Sequence, residues 1–129
     1  MLEAHHKPRR IRNSLSREEI RDVSLLILKE EGLDGLSMRK IANRLGCSVA
    51  SPYSYYESQI DLVQDLIRTG EDELLSMLKK ASADVTTGSA FEQLAAIARS
   101  YFHFASNNRE LHKVMFVTDY GGVHRKAFH

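Results

Sequence analysis

The chain has 129 residues, 43% of them hydrophobic and 27% charged, with a formal net charge of +1. That is ordinary globular composition for one domain, or one small domain joined to part of another. No apolar run approaches the roughly 20 residues needed to span a bilayer, and no apolar stretch follows the charged N-terminus as in a secretion signal. Cys47 is the only cysteine, so no internal disulfide can form, and the expected setting is the cytoplasm.

The charge is unevenly spread. Residues 1–17 hold Lys7, Arg9, Arg10, Arg12 and Arg17 against Glu3 alone, whereas Glu71, Asp72 and Glu73 cluster further on. Such asymmetry suits a protein with one end facing a polyanion. Residues 1–15, with Pro8, read as a flexible basic arm. Ser16 then stands three residues before Glu19, the spacing of a capping box. A first helix follows from about Arg17 to Glu31, with Ile20, Val23, Ile27 and Leu28 on one face and Gly32 as its stop.

Ser37 is placed to cap a second helix, Met38 to Leu45, in which Met38, Ile41, Ala42 and Leu45 face inward. Gly46 breaks it. Ser48 is expected to cap a short third helix reaching about Tyr56, with Pro52 near its start. Ser58 caps a long fourth helix, continuing to about Ala83 on a stripe of Leu62, Leu66, Leu74 and Leu78, with a bend at Gly70. Ser89 and Glu92 repeat the capping-box spacing before a fifth helix to about Ser106. Phe91, Leu94, Ala95, Ala98, Tyr101, Phe102 and Ala105 are its expected apolar face. A sixth helix carries Leu111, Val114, Met115 and Phe116, and Gly121 and Gly122 end it. Every segment has helical periodicity, so the fold class is all-α.

Residues 37–56 carry the functional signal: a helix, a glycine turn and a second, short helix. That arrangement places the second helix in a DNA major groove. Ser48, Val49, Ala50 and Ser51 are small enough to approach base edges, with hydroxyls for hydrogen bonds and methyls for thymine. Tyr53 and Tyr55 offer phenolic donors to phosphate, which fix register without reading sequence. Tyr56 points elsewhere and belongs to the core. Cys47 is read as a small plug between the two helices.

The stretch SMRKIANRLGCSVASPYSYY, residues 37–56, resembles the helix-turn-helix of the tetracycline-repressor (TetR) family. Glu30-Glu31-Gly32-Leu33 before it and Ser58 to Leu62 after it extend the likeness over about residues 16–63. Residues 101–116, YFHFASNNRELHKVMF, are similar to helices of that family's ligand domain. The resemblance implies an all-helical homodimer that binds a palindromic double-stranded operator and releases it when a small molecule enters the C-terminal domain. Residues 1–15 would be the arm, 16–60 the three-helix DNA-binding domain, and 61–129 the first part of a helical ligand-binding and dimerisation domain, truncated before its last helices.

By position, Ser37 and Arg39 would meet DNA from the second helix, and Ser48, Val49, Ala50, Ser51, Tyr53 and Tyr55 from the third. The family pattern has a lysine after Ser58; here Gln59 can only donate a neutral hydrogen bond, and Ile60 replaces the usual acidic residue. The basic arm (Lys7, Arg9, Arg10, Arg12) is expected to compensate in the adjacent minor groove. For the inducer, an apolar or aromatic molecule, Tyr101, Phe102, His103, Phe104, Met115 and Phe116 are the candidate lining residues. The histidines form no metal-binding helical pair and no glycine-rich phosphate loop follows a strand. An enzyme, a metal site and a cofactor are therefore not expected. A helical-bundle interaction module without DNA binding is the alternative.

Overall fold

The computed structural model describes residues 15–86 and 88–118. Six α-helices follow one another among them: α1 (Arg17–Glu31), α2 (Met38–Leu45), α3 (Ala50–Tyr53), α4 (Gln59–Asp84), α5 (Ala90–Asn107) and α6 (Arg109–Phe116), with a 3-10 turn at Leu33–Gly35. There is no strand among the described residues, so the all-α expectation holds.

Four of the helices begin at the serines expected from spacing. Ser16, Ser37, Ser58 and Ser89 each accept a hydrogen bond from the amide three residues on, those of Glu19, Lys40, Asp61 and Glu92. Each bond satisfies one of the four orphan donors at a helix start and contributes about 1 kcal/mol. The core lies between α1, α2 and the first half of α4, and runs on to α6. Ile20, Ile27, Leu28, Met38, Ile41, Leu62, Val63, Leu66 and Ile67 are buried there.

Gly70 does not interrupt the fourth helix. It is buried inside a helix that continues unbroken to Asp84, and it faces α6. A β-carbon there would lie 2.7 Å from Met115 Sδ and 3.1 Å from Leu111 Cδ2. The missing side chain is what lets the two helices approach. Gly70→Val should therefore lower stability by about 1–3 kcal/mol, from overpacking against α6. Urea denaturation checks this, and an unchanged midpoint would mean that α6 yields freely.

The fifth helix departs from its expected packing. Phe91, Leu94 and Phe102 are largely exposed, Ala98 is exposed, and Ala95, Tyr101 and Ala105 are half-buried. Phe104, on the other side, is fully buried. The apolar residues of α5 exceed one face, and α4 and α6 cover the side that holds Phe104. The expected glycines at the end of the sixth helix, Gly121 and Gly122, lie outside the described residues.

Candidate nucleic-acid interface

The turn between α2 and α3 is built on Gly46, at φ 70° and ψ 37°. In that left-handed conformation the Gly46 amide donates to Asn43 at 3.3 Å and the Cys47 amide to Ala42 at 3.0 Å. This pair of bonds closes the end of α2 and turns the chain sharply, at low steric cost only for glycine. Cys47 is half-buried and packs against the core.

The third helix is shorter than expected and begins differently. Val49, not Ser48, is its boundary residue, and no side chain caps it. The reason is Pro52, which has no N–H to give the Ser48 carbonyl. That carbonyl accepts instead from Ser51 N, one residue earlier, at 3.0 Å. Ser48 Oγ lies 3.3 Å from Ser51 Oγ. Pro52 itself is buried, and its carbonyl accepts from the amides of Tyr55 and Tyr56. The proline thus anchors the inner side of the segment.

On the outer side Ser48, Ala50 and Tyr53 are exposed, Tyr53 at 48%, while Val49 and Ser51 are half-buried. Arg39 is exposed as well, and no ion pair holds it among the described residues. Ser37 is occupied by its cap to Lys40. Gln59 donates to the Leu36 carbonyl at 3.0 Å, tying the start of α4 to the loop before α2. Lys7, Arg9, Arg10 and Arg12 lie outside the described residues.

Tyr55 is half-buried, and its hydroxyl donates to the Leu15 carbonyl at 2.6 Å. The phenol expected to face phosphate thus has an internal acceptor 40 residues away. Leu15, placed in the arm by its polar neighbours, packs on the core. Around Tyr55 other groups gather. Arg17 donates to the Tyr55 carbonyl at 2.7 Å and lies 4.4 Å above the ring of Tyr56. Tyr56 is buried as expected and donates to Asp65, which also pairs with Arg21 at 3.3 Å. Burial first, and the Asp65 carboxylate second, push the Tyr56 phenol above its ordinary pKa, so it remains a neutral donor.

A second set of charges fixes α2 against α1. Lys40 pairs with Glu31, and Arg44 with Glu30 at 2.8 Å and with Glu31 at 3.1 Å. The Lys40 hydrogen bond, then the nearby positive charges working against desolvation, hold the Glu31 carboxyl below its ordinary pKa. A depressed carboxylate pKa adds stability at neutral pH that is lost as pH falls through the folded-state value. Glu31→Gln should therefore flatten the acid limb of the stability–pH curve below the ordinary glutamate pKa and change little above it. Solvent screening keeps the effect small. Urea midpoints across that range measure it, and parallel curves for both proteins would remove Glu31 from the acid response.

The six residues expected to line a ligand cavity differ in their exposure. Phe104 and Met115 are core residues, 0% and 5% exposed, and Met115 Sδ lies against Gly70 of α4. Phe102 and Phe116 face outward, at 66% and 50%. His103 is exposed and bonds Asn107, while Tyr101 bonds His112 at 2.7 Å. A cavity of about 590 Å³ lies elsewhere, between α1, α4 and the α5–α6 corner, lined by residues including Leu25, Leu26, Gly70 and Leu111.

No protein-family model matches the chain. It is 33% identical over 89 residues, 69% of its length, to an uncharacterized HTH-type transcriptional regulator of Mycobacterium tuberculosis, covering 41% of that protein. It is 27% identical over 112 residues to the HTH-type transcriptional activator FasR of Mycolicibacterium smegmatis, covering 84% of this chain and 50% of FasR. With the probable HTH-type transcriptional regulator YttP of Bacillus subtilis it shares 22% identity over 101 residues, 78% of this chain and 49% of YttP. A solved structure from Rhodococcus sp. RHA1, of a protein of unknown function, superposes with a TM-score of 0.74 over 92% of this chain and 64% of that one, at 24% identity. That likeness shows the fold alone. The chain spans about half the length of the curated relatives it matches, and over most of its own length it is similar to helix-turn-helix transcriptional regulators.

Proposed function

We propose that the chain is a sequence-specific DNA-binding transcriptional regulator of the tetracycline-repressor kind, with residues 16–60 as the DNA-binding unit and α3 as the helix that enters the major groove. The observation that carries this is the two-sided character of α3. Pro52 is buried while Ser48, Ala50 and Tyr53, all small or hydroxyl-bearing, stand exposed beside the left-handed turn at Gly46. A short helix with a small outward face can approach base edges, and Tyr53 can donate to phosphate. The HTH-type names of the three relatives support the same function.

The division of labour among the candidate residues follows their surroundings. Ser48, Val49, Ala50 and Ser51 face bases, Tyr53 and Arg39 face phosphate, and Lys7, Arg9, Arg10 and Arg12 add charge from the arm. Because Lys40 and Arg44 are matched by Glu30 and Glu31, Arg39 and the arm supply most of the counterion release. Ser37 and Gln59 hold the frame. The protein acts as a cytoplasmic homodimer on a palindromic operator, and a small apolar or aromatic inducer bound through residues 61–129 relieves repression. Among the described residues no helix is long and apolar enough to cross a membrane.

In-vitro selection of DNA bound by the chain tests the function. Two inverted half-sites one helical turn or a multiple apart are expected. Recovery of no enriched motif would refute sequence-specific binding. A helical-bundle interaction module is the second reading, favoured by the exposed Phe91, Leu94 and Phe102 of α5; it predicts no salt-sensitive shift with any DNA.

A further inference from the structure

We propose that the cavity between α1, α4 and the α5–α6 corner binds a short apolar peptide of about three residues with both ends free, its ammonium on Asp22 and its carboxylate on Lys29. The site goes beyond the inducer reading above, because α1 of the DNA-binding unit supplies one of its walls. The cavity holds about 590 Å³. Small-molecule sites typically measure about 300–1,000 Å³. Its floor is apolar: Leu28 and Leu111 are 1% and 8% exposed, and Gly70 brings α4 close to α6. Leu26 lines the same cavity yet is 47% exposed, so an apolar group can reach it from outside.

The order of residues along the α1 wall selects the ligand. Asp22, Leu25, Leu26 and Lys29 stand at i, i+3, i+4 and i+7, so they share one face of the helix. The acid and the base are two turns apart, about 10.5 Å along the axis, with the leucines between them. An extended peptide of three residues spans about 10 Å and carries the matching order of ammonium, apolar side chains and carboxylate. The other walls add one charge of each sign, Glu73 from α4 and Arg109 from α6. Among the described residues none of these four charges takes part in an ion pair. The remaining acid of the lining, Glu110, is paired with Lys113 at 3.2 Å. A simple cation would meet Lys29 and Arg109 at a like-charge cost, and a simple anion would meet Asp22 and Glu73. A neutral apolar molecule would strip water from all four charges and pair none. A molecule with one charge of each sign at its ends, and apolar groups between, satisfies both kinds.

Isothermal titration calorimetry on the full chain, without DNA, tests this with the tripeptide Leu-Ala-Leu, its N-acetyl form, its C-terminal amide and free leucine. The unblocked tripeptide should bind as a single molecule per chain. Each blocked form should bind about tenfold more weakly or worse, the scale of one hydrogen bond to a charged group. Free leucine, too short to reach both charges, should also bind more weakly than the tripeptide. Asp22→Asn should erase the preference for the unblocked over the acetylated peptide and keep the preference over the amide. Lys29→Gln should do the reverse. Both residues are exposed, so the variants keep the fold. No saturable binding at about 1 mM peptide, affinity that survives either block, or leucine binding as tightly as the tripeptide would each overturn the proposal. So would variants that keep the wild-type preferences. Because no DNA is present, such a failure is distinct from failure of the proposed function, which is read in DNA binding alone.

Discussion

Ala50→Glu is expected to reduce DNA affinity at least about 100-fold while leaving the folded chain intact. Ala50 is exposed at the first position of α3, beside the exposed Ser48 and Tyr53. In the proposed docking it faces the groove, where a carboxylate meets the phosphate field and the acceptor-rich base edges. Like-charge juxtaposition at an interface costs several kcal/mol, which is the source of the 100-fold figure. Stability should move by no more than about 0.5 kcal/mol, since the site is on the surface and an acidic residue suits a helix N-terminus. A gel shift alongside a thermal melt separates the two quantities. Retained affinity in a folded Ala50→Glu protein would mean that α3 does not face DNA.

Phe104→Ala should cost about 3–5 kcal/mol of stability, the range for removing a fully buried phenylalanine. Phe104 is 0% exposed, on the side of α5 that packs with the core. The thermal midpoint should fall by at least about 10 °C. A residue that lined an open ligand cavity would lose less, since the cost depends on the space its removal leaves behind, and the effect would appear in ligand response. Urea denaturation decides between the two. The small loss would favour a ligand-lining role for Phe104, and the large one a core role.

Local signals in the sequence carried the helices well. The serines at 16, 37, 58 and 89 each sit before an apolar periodic run, and each caps a helix through an amide three residues on. Gly46 was readable as a turn because no other residue adopts its backbone conformation as easily. Pro52 falls near the start of α3 as expected, but the shift it causes in the helix boundary was not legible. The missing amide diverts the Ser48 carbonyl to Ser51, so the helix begins after Val49.

What the sequence did not disclose is long-range. No periodicity announces that Tyr55 reaches Leu15, that Arg17 lies over Tyr56, or that Gln59 holds the Leu36 carbonyl. Each of these joins elements separated by loops, and each uses a side chain equally suited to phosphate. The same limit applies to α5. Helical spacing identifies Phe91, Leu94 and Phe102 as apolar, yet which face is covered depends on where α4 and α6 lie. Close approach at Gly70 was likewise invisible, because a glycine within a helical pattern reads as a weak point until the partner helix is known.

The central claim is that the outward face of α3 lies against DNA. Photocrosslinking tests it most directly, with a benzophenone amino acid placed at Tyr53 in one protein and at Phe91 in another. Both positions are exposed. They are kept apart by α4, whose 26 residues span about 39 Å. Position 53 should yield a protein–DNA adduct that competitor DNA of the selected sequence suppresses, and position 91 should yield none. No adduct from position 53, or equal adducts from both, would contradict the account.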